Sequence, residues 1–148
     1  MRPIGKFRSC FKEKYGTPRQ GAVAKNTRGH VQFYSWVPPD SLDGLEAFSH
    51  AWLVFWFHRN TNKVGGWVVS GKVKAPRLQG ESVGIFASRS PHRINPIGQS
   101  LAGGSRNPSF GTWHVDTEPT LRIDLIEGTP ILDLKPLHPG SWKIILVS

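Results

Sequence analysis

The chain has 148 residues, with 19 lysines and arginines against 10 aspartates and glutamates, a formal net charge of +9. That length suits one domain spanning 1–148 with a core of its own, and the only cysteine, Cys10, excludes an internal disulfide and a thiolate metal cluster. The 16 glycines and 12 prolines argue for many turns between short elements, and the longest apolar run, Ala51 to Phe57, is far too short for a membrane-spanning helix.

Ile4 to Phe7 reads as a first strand, and Ser9 to Gly21 as an ordered, polar, basic loop. Val31, Phe33 and Ser35 alternate with Gln32, Tyr34 and Trp36, the period of a strand, which Pro38-Pro39 ends. Asp40 to Phe48 reads as one or two helical turns, with Asp40 as the cap and Leu42 and Leu45 on one side. Ala51 to Phe57 has no polar interruption, and its β-branched and aromatic content favours a central strand buried on both faces, with a core helix as the alternative of similar pattern. Asn60 to Gly66 reads as a turn, Trp67 to Val73 as a returning strand, and Val83 to Ala87 as another short strand. Ser90 to Gly98 is a loop, and Gly103 to Pro119 carries turn signals with a short strand around Trp113. Leu121, Ile123 and Leu125 alternate with Arg122 and Asp124 as one more strand, which Gly128-Thr129-Pro130 breaks. Ile131 to Leu134 and Trp142 to Val147 are the last strands. Seven or eight short strands with little helix point to an all-β fold, a barrel or a sandwich.

The charge is unevenly placed. Residues 1–30 hold Arg2, Lys6, Arg8, Lys12, Lys14, Arg19, Lys25 and Arg28 against one acid, Glu13. Such a segment attracts a polyanion through phosphate contacts, though a solvated basic face reads the same way. Arg89-Ser90-Pro91-His92-Arg93-Ile94-Asn95-Pro96 gathers two guanidiniums, an imidazole, a hydroxyl and a carboxamide between two prolines that restrict the backbone. It can bind a phosphate, a carboxylate or a base edge, or be a well-ordered exposed loop. Asp133 either holds an arginine such as Arg89 or Arg93, or is a partly exposed strand-end residue. The histidines lack metal-ligand spacing, so no metal is expected. There is no Walker loop, and no glycine-rich dinucleotide motif follows a strand.

Gly16-Thr-Pro-Arg-Gln20, Leu42-Asp-Gly-Leu45, Phe48-Ser-His-Ala-Trp52, Pro76-Arg77, Arg89-Ser-Pro-His-Arg93 with Asn95-Pro-Ile-Gly98, and Asp124 to Pro136 together resemble the TrmO (TsaA-like) family. The blocks stand in that family's order from Pro3 to Pro136, with a weak stretch from Leu101 to Thr120. The resemblance implies a small β-barrel with short helical turns, S-adenosylmethionine as cofactor, and a homodimer with the cofactor pocket near the subunit interface. The cytoplasmic location expected here rests on the single cysteine, which suits a reducing compartment. It implies methylation of N6 of threonylcarbamoyl-adenosine at tRNA position 37. Carried onto this chain, the cofactor residues are Gln20, Phe48, His50, Arg89, Ser90, His92, Leu125 and Thr129. The tRNA side falls to Arg19, Arg89, Arg93, Asp133 and Lys135. Ile94 stands where the family has proline, and Leu137 where it has an aromatic, usually tyrosine.

Methyl transfer to a urea-like nitrogen needs in-line placement and a proton acceptor, for which His92 and Asp133 are the candidates. Two rival readings stay open on sequence alone. One is a methyltransferase with another RNA or a small-molecule acceptor. The other is a non-enzymatic RNA-binding barrel working through phosphates and exposed aromatics.

Overall fold

A computed structural model describes residues 1–13, 29–60, 70–74, 80–103, 120–121 and 125–138. In chain order these form β1 (Gly5–Ser9), β2 (Gly29–Phe33), 3-10 helices at Pro39–Leu42 and Leu45–Ala47, and β3 (His50–Trp56). Then come β4 (Lys72–Lys74), β5 (Ser82–Gly84), a 3-10 helix at Ile85–Ala87, β6 (Ile97–Gly103), β7 (Thr120–Leu121) and β8 (Pro130–Pro136). Six strands make one antiparallel sheet in the order β6-β3-β8-β1-β2-β7, and β4 pairs with β5 in a second, separate sheet.

That order overturns the expected barrel. Closure requires the two edge strands to hydrogen-bond to each other. Here β6 pairs only with β3 and β7 only with β2 among the described residues, so both sheets are open. The all-β barrel is replaced by open sheets joined through 3-10 helical segments.

β3 also departs from its expected burial on both faces. Ala51, Leu53 and Phe55 are buried, whereas His50 and Trp56 are exposed and Trp52 and Val54 half-buried. The strand therefore buries one face, where its partners supply Leu134 and Ile131 from β8 and Ala102 and Gly98 from β6. Phe7, Val31, Leu53 and Ile131, from four different strands, are the largest fully buried side chains. Leu42 and Leu45 join them from the two 3-10 helices, as their spacing predicts. Burying each such side chain contributes about 1.5–3 kcal/mol before entropy is charged against it.

Local details correct other expectations. Pro38, with extended backbone, precedes the first 3-10 helix without a side-chain cap bond, so Asp40 lies in the first turn rather than at the cap. Val83 to Ala87 divides between the end of β5 and a 3-10 helix. Leu125 is buried but lies outside any strand. The expected strands around Trp113 and at Trp142 to Val147 lie outside the described residues.

The turn at 125–129 fastens β8 to β1. Gly128 adopts φ 77°, the left-handed conformation that favours glycine, and its N–H donates to the Phe7 carbonyl at 2.8 Å. The Phe7 N–H donates to the Thr129 carbonyl at 2.8 Å. Glu127 accepts the Arg8 guanidinium at 2.7 Å and the Ser9 N–H at 2.6 Å, while Arg8 also donates to Gln32 at 2.9 Å. Burial raises the Glu127 carboxyl, but the Ser9 and Arg8 hydrogen bonds and the charges of Lys12 and Arg8 outweigh it, so the net pKa is lowered.

Two tests follow from this frame. Glu127→Ala should cost about 1.5 kcal/mol at neutral pH, the lower end for bonds to a charged group because its partner Arg8 is 40% exposed. The lowered native pKa makes this contribution complete above the ordinary carboxylate range and lost as pH falls through the native value. Thermal melts of wild type and variant should therefore converge in acid. Gly98→Ala should cost about 1–3 kcal/mol by overpacking. A Cβ there would lie 2.3 Å from the Phe55 ring, whereas Gly84 has open space, so Gly84→Ala should melt close to wild type.

Candidate functional site

The loop from Ser88 to Pro96 bonds to itself before it enters β6. The Ser88 hydroxyl donates to the Ile85 carbonyl at 2.9 Å, and the Ser90 N–H donates to the Ser88 hydroxyl at 3.4 Å. The His92 N–H donates to the Ser90 hydroxyl at 3.2 Å, and the Arg93 guanidinium to the Ser88 carbonyl at 2.8 Å. Two further bonds moor the loop to the end of β3. The Phe57 N–H donates to the Pro96 carbonyl at 2.8 Å, and the Asn60 amide donates to the Pro91 carbonyl at 2.7 Å. The Ser88 and Ser90 hydroxyls and the Arg93 guanidinium are taken up by backbone groups of the loop, which leaves Arg89 and His92 for other work.

Beside the loop lies a cleft of about 440 Å³ lined by Phe86, Arg93, Ile94, Asn95 and Ile97. Phe86 is 77% exposed and Ile94 56%, large apolar surface next to a guanidinium and a carboxamide. Arg89 is exposed and His92 half-buried, and neither side chain has a partner among the described residues. Such a set offers cations to an anion and flat or apolar walls to a ring.

The residues expected to hold a cofactor divide into two groups. Arg89, Ser90 and His92 share the loop. Phe48 and His50 lie at the other end of β3, where Phe48 stacks edge-on against His138 at 5.0 Å and the His50 ring meets the Ser49 hydroxyl at 3.0 Å. Seven residues of strand, about 20 Å, separate the two ends. Leu125 belongs to the core, and the Thr129 hydroxyl donates to the Ile126 carbonyl at 2.7 Å. Gln20 and Arg19 lie outside the described residues.

Asp133 and Lys135 stand two residues apart on β8, opposite Val54 and Trp52, on the face of the sheet away from the core. They pair with each other at 2.7 Å, so Asp133 is the partly exposed strand residue and holds neither Arg89 nor Arg93. Arg93 is instead held by a backbone carbonyl of its own loop.

Sequence reasoning missed Phe86 and Asn60. Asn60 was legible only as the start of a turn, yet its amide holds the loop and its Oδ1 is buried with no partner among the described residues. It also missed a second cleft of about 400 Å³ lined by Arg8, Ser9, Cys10, Lys12, His30 and Glu127. The basic run of residues 1–30 signalled its charge, but nothing local to that run pointed to Glu127. Groups of three or more histidine, cysteine, aspartate or glutamate side chains able to hold a metal are absent among the described residues. No described helix is long and apolar enough to cross a membrane.

The chain is similar to known proteins along most of its length. The family model for the tRNA-methyltransferase O N-terminal domain matches residues 6–141. A tRNA (adenine(37)-N6)-methyltransferase of Rattus norvegicus is 41% identical over 137 residues, which cover 90% of this chain and 30% of that protein. A probable S-adenosyl-L-methionine-binding protein of Methanothermobacter thermautotrophicus is 30% identical, over 93% of this chain and 89% of that one. A crystal structure of TrmO from Pseudomonas aeruginosa superposes with a TM-score of 0.69 at 34% identity, covering 99% of this chain and 59% of that one. The chain thus spans under a third of the rat relative's length. A match this long, together with the shared fold, places the chain in the TrmO family of tRNA adenine-37 N6-methyltransferases.

Proposed function

We propose that the chain carries out the S-adenosylmethionine-dependent methylation of N6 of threonylcarbamoyl-adenosine at position 37 of tRNA. The observation that carries this reading is the self-bonded loop of Arg89, Ser90, His92 and Arg93, moored to β3 beside a cleft of about 440 Å³. The rat relative is named for this reaction, and the archaeal one for binding this cofactor.

The donor set fits the cofactor. Arg89 and His92, without side-chain partners among the described residues, offer cationic and hydrogen-bonding groups to its carboxylate and hydroxyls, with Ser90 fixing the backbone between them. When bound, S-adenosylmethionine supplies an electrophilic methyl group on a sulfonium. The chain's own residues place the acceptor against it. Phe86, Ile94 and Ile97 give the base an apolar wall, and Arg93, fixed by the Ser88 carbonyl, meets the carboxylate of the threonylcarbamoyl group. His92 takes the proton that leaves N6 as the new bond to carbon forms. Asp133, already paired to Lys135, is the weaker candidate for that step.

The homodimer belongs to the same proposal. The two groups of candidate residues lie a strand's length apart within one chain, and a pocket completed by a second copy brings one group from each. Trp56, 44% exposed, and Leu101, 40% exposed, lie on the solvent side of β3 and β6 and form the apolar surface that a copy would cover. A cytoplasmic location is part of the same proposal, in keeping with Cys10 as the single cysteine.

Purified protein incubated with methyl-labelled cofactor should transfer label to tRNA carrying threonylcarbamoyl-adenosine and far less to tRNA lacking it. Arg93→Ala should lower kcat/KM for the modified tRNA about 10- to 100-fold, the loss of a hydrogen bond to a charged group. His92→Ala should lower kcat about 10²-fold or more, and unchanged turnover at saturation would remove His92 from proton transfer. No label in either pool from folded protein would overturn the reading. Sedimentation of Trp56→Glu should show a smaller species than wild type.

A further inference from the structure

We infer that the solvent face of β1 and β2, together with the turn after β3, is the track along which the phosphate backbone of the acceptor tRNA lies. The inference rests on the tRNA reading above and names the surface that serves it. Alternation along β1 buries Gly5 and Phe7 and turns Lys6 and Arg8 outward, about 7 Å apart at the rise of a strand. The antiparallel register sets Gln32 beside Lys6 and His30 beside Arg8 on that same face. Past the end of β1 the chain opens the cleft of about 400 Å³ lined by Arg8, Ser9, Cys10, Lys12, His30 and Glu127. Arg59, from the turn after β3, reaches into this region by donating to the Lys12 carbonyl.

The charge balance favours an anion. Glu127 is committed to Arg8 and the Ser9 N–H, which fixes the guanidinium against the sheet and cancels one positive charge. Lys6, Lys12 and Arg59 then stand against Glu13, a surplus of cations spread along a strand and a turn rather than gathered at a point. A linear polyanion matches that spread better than a single phosphate does. The track also leads to the candidate site: Arg59 bonds to the backbone of Lys12, a residue of the basic cleft, and its neighbour Asn60 holds Pro91 of the loop. Phosphates lying on this face bring the adjoining nucleotides to Arg93 and the cleft of Phe86 and Ile94.

The test is direct binding of fluorescently labelled tRNA transcript across a KCl series, without cofactor. Each phosphate contact removed lowers the slope of log affinity against log salt by about 1. Lys6→Gln/Lys12→Gln should therefore bind with a slope smaller by about 2, and Lys6→Arg/Lys12→Arg should restore it. Lys72→Gln/Lys74→Gln removes the same charge from the separate β4–β5 sheet and should keep the wild-type slope. Thermal melts confirm that each variant is folded. An unchanged slope in the first variant, or an equal loss in the β4 control, overturns the inference. If wild type methylates tRNA while the first variant keeps its slope, the backbone track fails and the enzymatic reading stands. If wild type transfers no label yet the slopes change as expected, the track stands and the methylation reading fails.

Discussion

β3 is hydrogen-bonded along both edges, to β6 on one side and to β8 on the other, and the rest of the molecule takes its position from that fact. A strand held on both sides cannot slip by one residue without turning Ala51, Leu53 and Phe55 to solvent and His50, Trp52 and Val54 to the core. The partners are shaped to the same register. Small residues, Ala102 and Gly98, face the β3 core positions from β6, and Gly98 leaves room for the Phe55 ring where any Cβ would collide. The pairing slips once, between Val54 and Phe55, where β8 carries one extra residue, Leu132. Beyond the slip Ile131 turns to the core, while before it Asp133 and Lys135 stay on the outer face.

The candidate loop inherits its rigidity from this strand. Its two moorings, at Phe57 and Asn60, are residues that directly follow β3. Its internal bonds run through Ser88 and Ser90, short side chains that mimic backbone groups and close tight turns. The cationic and imidazole groups therefore sit on backbone already ordered before any ligand arrives, which lowers the entropy that binding must overcome. The methyl transfer proposed here would depend on placement more than on chemical activation, which is what a preordered loop supplies.

Much of the architecture was legible because hydrophobic period and turn residues act locally. The strand at Ala51, the return at Ile131, the break at Gly128 and the inward pair Leu42 and Leu45 all declare themselves within a few residues. What failed was global. Whether a run of strands closes into a barrel is decided by which edges meet, and no single strand's composition encodes that. The uninterrupted apolar run of β3 suggested burial on both faces because half-buried Trp52 and Val54 look the same in sequence as buried ones. The loop of Arg89 to Pro96 was found from its density of functional groups and fixed prolines. Its cleft was not, because Phe86 and Asn60 come from neighbouring elements and look like ordinary core and turn residues. Asp133 was expected to choose between an arginine and solvent, and a lysine two residues along the same strand face settled the choice.

Glu127 shows how a single acid can give a basic surface its shape at the cost of one positive charge. It is 19% exposed and bound to the Ser9 N–H and the Arg8 guanidinium, so carboxylate and guanidinium neutralise each other at contact range. In return Arg8 is held between Glu127 and Gln32. The same carboxylate ties the turn before β8 to the end of β1, fixing where the wall of the basic cleft stands relative to the sheet. Lys12, an exposed residue lining the same cleft, is near enough to help ionise Glu127. The arrangement separates two tasks that a plain cluster of lysines would confuse: one cation is used to build the wall, and the others remain for a partner.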